Sequence, residues 1–202
     1  MSTNQPRKPA GTPVGGQWAP SAHDEPDIEL GPQAPSGQKE LAMSVLTDGT
    51  REWRLEGELH RDDGPAVECT DGSKLWYQRD RRHRDDGPAV ERPDGSREWY
   101  RHGQLHRQDG PAIERNGWRF WYTYGKLHRT DGPAVEYPDG AREWYQYGLR
   151  HRDDGPAVEY PSGSRQWYKN GELHRDDGPA LERADGTVEW WVHDKQVQPP
   201  AR

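Results

Sequence analysis

WYKNGELHRDDGPALERADG, Trp167 to Gly186, is one copy of a phrase that the chain writes six times between Asp48 and Ala184. Tryptophans fall at Trp53, Trp76, Trp99, Trp121, Trp144, Trp167 and Trp190, and HRxDGPA opens at His60, His83, His106, His128, His151 and His174. The steps between these histidines are 23, 23, 22, 23 and 23 residues. A fixed period of this length marks a repeat architecture, in which one unit cannot bury its own apolar face and does so against its neighbours. Half units close both ends: LAMSVLTDG from Leu41 matches the end of a repeat, and DGTVEWWVHDKQV, ending at Val197, matches the start of one.

Two turn signals bracket the unit. Pro93-Asp94-Gly95 and Pro138-Asp139-Gly140 suit a three-residue hairpin loop, with Pro opening a type I turn and Gly in the left-handed bulge position. The one 22-residue repeat has Asn116-Gly117 there and no Pro, the preferred two-residue type I′ turn, so the deletion leaves the strand register unchanged. That register sets Glu68 across from Lys74, Glu91 from Arg97, Glu114 from Arg119, Glu136 from Arg142 and Glu159 from Arg165. Such opposite-charge pairs contribute roughly 0.2–1 kcal/mol each. It also sets Ala89 against Trp99, Ala134 against Trp144 and Ala157 against Trp167. The second turn is Asn170-Gly171 with its counterparts Tyr124-Gly125, His102-Gly103 and Tyr147-Gly148, which fold Leu173 across from Tyr168 and Leu105 across from Tyr100. HRxDG then reads as a wide bulge interrupting the second strand, with Gly110 and its equivalents at an unusual backbone angle and the preceding Asp making an Asx-type bond. The expected fold is all-β: a single-layer antiparallel meander of about fourteen strands built from 23-residue β-hairpin repeats. Equivalent residues should recur every ~10 Å along it.

Composition agrees with a thin, ring-rich array. Leu, Ile, Val and Phe number only 23 of 202 residues, a level that by itself suggests disorder, but ten Trp and nine Tyr supply the apolar area instead. Residues 1–40, with seven Pro, five Gly and one aromatic, Trp18, read as a disordered leader, residues 41–198 as the repeat array and 199–202 as a tail. The net charge of −7 is spread along the array, which disfavours nonspecific binding to phosphate backbones. Cys69 is the lone cysteine, so an internal disulfide is excluded. No apolar run is long enough for a signal peptide or a membrane span, which makes the cytoplasm the expected compartment.

The period of 23, the DG turns and the WYxxGxL words resemble MORN-type β-hairpin repeats, closest to the bacterial MORN-variant repeats described as antitoxin components. The resemblance covers residues 43–197. It implies a hairpin ribbon and a neutralising or scaffolding role towards another protein.

HRxDG brings His and Asp together six times, but consecutive histidines such as His83 and His106 should lie ~10 Å apart, too far to share one metal ion. No cofactor or metal is expected. Catalysis needs one asymmetric constellation in a pocket, whereas every eye-catching polar residue here has siblings in the other repeats, so no enzyme is expected. The candidate binding residues are the ladders on the strand faces: Trp76, Trp99, Trp121, Trp144 and Trp167; Tyr100, Tyr122, Tyr145 and Tyr168 on the other face; and Arg97, Arg119, Arg142 and Arg165. Exposed aromatic faces usually mark interfaces, so a protein partner, preferentially basic, or self-association face to face is expected. The alternative is a linear polymer, single-stranded nucleic acid or glycan, stacked on the indoles beside the arginines; for nucleic acid the acidic balance counts against it. Asp194, Lys195 and Pro199-Pro200 are placed to block strand pairing at the C-terminal edge.

Overall fold

The computed structural model describes residues 40–200, so the leader reading falls outside them except at Glu40. Fifteen antiparallel strands succeed one another in an open sheet, from Leu41–Val45 at one edge to Lys195–Val197 at the other, with Glu58–Leu59 attached beside Arg51–Leu55. The chain is a β-hairpin repeat protein, and each repeat gives the sheet two short strands, such as Val90–Glu91 and Arg97–Glu98.

The turn chemistry produces this as expected. At Pro93-Asp94-Gly95 the Gly95 amide donates to the Arg92 carbonyl (3.0 Å), Arg92 donates to Ser96 (3.0 Å), and Asp94 Oδ1 accepts from the Ser96 amide (2.8 Å), with Gly95 at φ 83°. Asn116-Gly117, at φ 48° and 82°, joins Arg115 directly to its partner Trp118. The five charge pairs stand in the expected register. Each basic residue also meets the Glu of the following repeat: Lys74 with Glu91, Arg97 with Glu114, Arg119 with Glu136, Arg142 with Glu159 and Arg165 with Glu182. One face therefore carries an unbroken row of alternating charge from Arg51 to Glu182. The residues one step along each strand point to the other face, where Val67, Val90, Val135 and Val158 are buried.

The structure departs from the expected continuous strands. After Trp99 the chain leaves the long sheet, and Tyr100–Arg101 pairs with Gln104–Leu105 as a separate two-stranded hairpin; the same happens at Tyr77, Tyr122, Tyr145 and Tyr168. Their turns are the expected two-residue kind, for example His102-Gly103 at φ 50° and 84° and Asn170-Gly171 at φ 53° and 89°. Successive hairpins are tied by backbone bonds such as Gly103 N–H to the Arg82 carbonyl and Gly171 N–H to the Arg150 carbonyl, both 2.8 Å. The tryptophan amides bond across repeats, Trp99 to the Ala112 carbonyl and Trp144 to that of Ala157, each 2.8 Å, and the alanines are fully buried.

HRxDG is accordingly not a bulge within a strand but a crossing from the small hairpin back to the long sheet. Its glycines, Gly64, Gly87, Gly110, Gly132, Gly155 and Gly178, do not take the left-handed conformation. They are glycine for room: a Cβ on Gly110 would lie 2.9 Å from Cζ of Arg107. The preceding Asp makes no Asx turn, because its carboxylate is taken by that same arginine (Arg107 Nε to Asp109 Oδ1, 3.1 Å).

Candidate interaction surface

The crossing exists to hold an arginine over a tryptophan. Eight residues after each indole, the Arg of HRxDG lies across the ring: Arg61 over Trp53 at 4.2 Å, Arg84 over Trp76 at 4.1 Å, Arg107 over Trp99 at 3.9 Å, Arg129 over Trp121 at 4.1 Å, Arg152 over Trp144 at 4.1 Å and Arg175 over Trp167 at 4.2 Å. Each stack is worth roughly 1 kcal/mol. The guanidinium is then fixed on all sides. Arg84 donates to Asp86 (2.9 Å), to the Pro88 carbonyl (3.3 Å) and to Glu91 (3.0 Å), and the set recurs in Arg107, Arg152 and Arg175. Every word of the motif is thereby used: Arg stacks, Asp and Glu orient it, Gly clears space for it and the Pro carbonyl accepts from it.

The histidine joins one repeat to the next. Its Nδ1 accepts from the first turn residue of the following small hairpin: His83 from His102 N–H (3.1 Å), His106 from Tyr124 (3.3 Å) and His151 from Asn170 (3.0 Å). Where that turn residue carries a ring it also meets the imidazole, stacked in His83–His102 (4.6 Å), His106–Tyr124 (4.5 Å) and His128–Tyr147 (4.1 Å) and tilted in His174–His193 (4.4 Å). An accepting Nδ1 places the proton on Nε2, which lies 3.1–3.2 Å from the Asp two residues on in His60, His83 and His151. His174 Nε2 is 3.1 Å from Asp176 but off the hydrogen-bonding direction. At His106 this Asp is replaced by Gln108, Nε2 is buried without a partner, and burial, with Arg101 nearby, pushes the imidazole below its ordinary pKa. Among the described residues no three His, Cys, Asp or Glu side chains gather around one point.

On the opposite face the small hairpins reach back to the sheet through tyrosine. Tyr100 donates to Glu98 (3.0 Å) and accepts from Arg82 (3.3 Å). In the next equivalent cluster Glu143, 6% exposed, accepts from Tyr137 and Tyr145 (2.7 Å each) and from Arg150 (3.0 Å). Burial alone would raise the Glu143 carboxyl, but these three bonds outweigh it and hold it below the usual range. Burial and the Glu143 charge push the Tyr145 hydroxyl up to about 12.

The candidate residues thus separate by accessibility. Trp76, Trp99, Trp121, Trp144 and Trp167 are half-buried with one face covered by arginine. Tyr100, Tyr122, Tyr145 and Tyr168 are half-buried on the other side; Tyr168 donates to Gln166 (3.3 Å), and burial raises the Tyr122 hydroxyl. Arg97, Arg119, Arg142 and Arg165 are exposed within the charge row, Arg119 lying 3.4 Å from Glu136 and Arg165 4.0 Å from Glu182. The arginines beside the indoles are those of HRxDG and not these four.

Between successive HRxDG crossings the surface opens into notches over Trp76, Trp99, Trp144 and Trp167, and these notches are what reading single strands missed. One of about 680 Å³ is lined by Trp99 with Arg107 over it, by Asp85, Asp86 and Asp109, and by Arg84 and Arg101. Others of about 610 to 630 Å³ lie over Trp76, Trp144 and Trp167. Their rims are aspartates with 72–84% of the side chain exposed. The first notch has four of them, Asp62, Asp63, Asp85 and Asp86, and so does the last, Asp153, Asp154, Asp176 and Asp177. The sequence signal was the x of HRxDG, Asp in four repeats but Gln108 and Thr130 in the middle. No protein-family model matches the chain, and no curated protein is detectably similar to it.

Proposed function

We propose that the chain is a non-catalytic interaction module that binds an extended basic segment of a protein partner along its row of notches. The observation that supports this most is the periodic rim of exposed aspartates above arginine-capped indoles. The arginines that line the notches are tied to Trp, Asp and Glu, while the exposed rim aspartates suit a Lys or Arg side chain, and openings recurring on the order of every 10 Å suit a chain that presents one such side chain about every three extended residues. Electrostatic steering would make the encounter fast and sensitive to salt. The resemblance to MORN-variant antitoxin components points the same way, towards a scaffold or neutraliser of a basic protein in the cytoplasm. A linear polymer stacked on the indoles is the weaker reading, because a base or sugar would have to displace a guanidinium held by Asp, Glu and a carbonyl. The test is titration of the whole chain with oligo-lysine and oligo-arginine peptides of increasing length. Affinity should rise with length and fall with salt, while single-stranded oligonucleotides should not bind. Flat peptide titrations, or preferential binding of oligonucleotides, would remove this reading.

A further inference from the structure

The strand Leu41–Val45 is one edge of the sheet, and among the described residues no strand lies on its outer side. Exposed edges are ordinarily blunted by short strands, charge and proline. This edge lacks all of them. Aligned on the shared Thr-Asp-Gly of residues 47–49 and 70–72, Leu41, Ala42 and Val45 stand where the next repeat has Gly64, Pro65 and Glu68. Without the proline the strand runs for five residues, where its counterpart Val67–Glu68 has two. Its side chains are open as well, Leu41 to 46%, Met43 to 55% and Val45 to 60%. The far end of the sheet is treated differently: Lys195–Val197 is three residues long, begins with a charge and is followed by Pro199-Pro200.

The register decides which backbone groups face outward. Leu46 N–H bonds the Thr50 carbonyl (2.8 Å), and Trp53 N–H turns away from Met43 to the Ala66 carbonyl (2.8 Å). Bonded and non-bonded pairs alternate along an antiparallel ladder, so Ala42 and Ser44 bond to Arg54 and Glu52, while the N–H and C=O groups of Leu41, Met43 and Val45 point outward. These same residues carry the exposed apolar side chains, on the face shared with Trp53 and Leu55; Ala42 and Ser44 lie on the other face. Read from either end, Leu-Ala-Met-Ser-Val alternates large apolar and small residues, with Met43 at its centre.

We infer that a second copy of this chain lays its own Leu41–Val45 strand antiparallel against this one, about a two-fold axis at Met43. Met43 then faces Met43 of the second copy, and at either end Leu41 faces Val45 of the other copy. All of these facing pairs are of the bonded kind, each exchanging N–H to C=O bonds in both directions between the outward groups. On one face Leu41, Met43 and Val45 of the two copies cover one another. On the other Ala42 meets Ser44, small against small, and no like charges are opposed. This match of the strand to itself, in its bonding groups and on both faces, is what selects the chain's own copy over a foreign strand. The contact is isologous and closes on itself, so assembly stops at the dimer. The partner is the chain itself, and nothing in the pairing depends on the basic-peptide reading.

The test is sedimentation velocity on the whole chain from about 10 μM to about 1 mM, a range spanning weak association. Mass should rise with concentration and level off at the dimer. Met43→Glu and Met43→Lys each set like charges against each other on the axis, and each alone should weaken association about ten-fold or more. An equimolar mixture of the two sets Glu against Lys and should associate more tightly than either variant alone. Met43 is more than half exposed, so both variants should fold, and their urea midpoints check this. In the parent, hydrogen exchange at the Leu41, Met43 and Val45 amides should slow as concentration rises, a readout that needs no variant. A parent chain monomeric at the highest concentration overturns the proposal, as does growth past the dimer or a dimer that leaves these amides unprotected. So does association that folded Met43→Glu leaves unchanged, or a mixture of folded variants no tighter than its parts.

Discussion

Replacing Gly110 by alanine tests the account of HRxDG with a sign change. The added Cβ would stand 2.9 Å from Cζ and 3.1 Å from Nε of Arg107, and both distances are below ordinary contact. The guanidinium has to withdraw from the Trp99 ring, 3.9 Å away, and from its bonds to Glu114 (3.1 Å) and the Pro111 carbonyl (3.2 Å). A weakened stack and strained charge-assisted bonds should cost about 1–2 kcal/mol. Arg107→Ala removes all of these and should cost about 2–3 kcal/mol, with little from Asp109, whose side chain is exposed. In the Arg107→Ala background the obstacle is gone. Because Gly110 lies outside the left-handed region, alanine there should then be neutral or stabilise by about 0.4–1 kcal/mol through the unfolded chain. Urea unfolding of the four chains completes the cycle, and a coupling of about 2 kcal/mol is expected. An equal cost for Gly110→Ala in both backgrounds would refute the packing account and return the glycine to a backbone role.

Three further outcomes follow from the same structure. Glu143→Gln leaves Arg150 without its carboxylate and should cost about 2–3 kcal/mol near neutral pH. Since the folded carboxyl is held below its ordinary 4.5, the stability it contributes is full above that value and is lost as pH falls through the lowered one, so the variant should lose less than the parent on acidification. His106 is depressed below 6.5 by burial, so its contribution is complete above that pH and declines below it. His106→Asn, which keeps an acceptor near the Nδ1 position, should flatten the fall of the urea midpoint below pH 6.5, and an unchanged slope would contradict the clasp. Burial, with Asp71 nearby, pushes the Cys69 thiol above its ordinary 9.0, so at about pH 7.5 fewer than about 3% of thiols should be ionised. Its reaction with a disulfide reagent should be slower than that of a free thiol and should accelerate on unfolding.

Local chemistry was legible in the residues. Asp-Gly and Asn-Gly turns set the pairing of Glu91 with Arg97 and of Tyr168 with Leu173, and the residue deleted before Asn116 showed which positions were loop. What escaped was whatever one repeat does to another residue at a distance. Gly110 looked like a glycine chosen for its φ because most turn glycines are, and only the place of Arg107 shows that volume is the constraint. The Trp99 to Arg107 spacing of eight residues was in the text, but a β pattern gives no reason for those two to meet until the chain leaves the sheet after Trp99. His83 likewise bonds a residue nineteen positions on, a distance set by the stacking of hairpins and not by any one strand. Of the candidate ladders, the exposed arginines were recognisable as such; the arginine cover on the indoles was not, and neither were the notches, because both are made by crossings between strands.

The proposed role stands or falls on the aspartates that rim the notches without holding an arginine, Asp62, Asp85, Asp153 and Asp176. Changing all four to asparagine leaves every Arg–Trp stack and its Asp–Gly support in place, so the urea midpoint should stay close to that of the parent chain. Calorimetric titration of parent and variant with the same long oligo-lysine peptide at low salt should show binding to the parent weakened about ten-fold or more in the variant. Equal affinity for both, or none for the parent, would contradict the account.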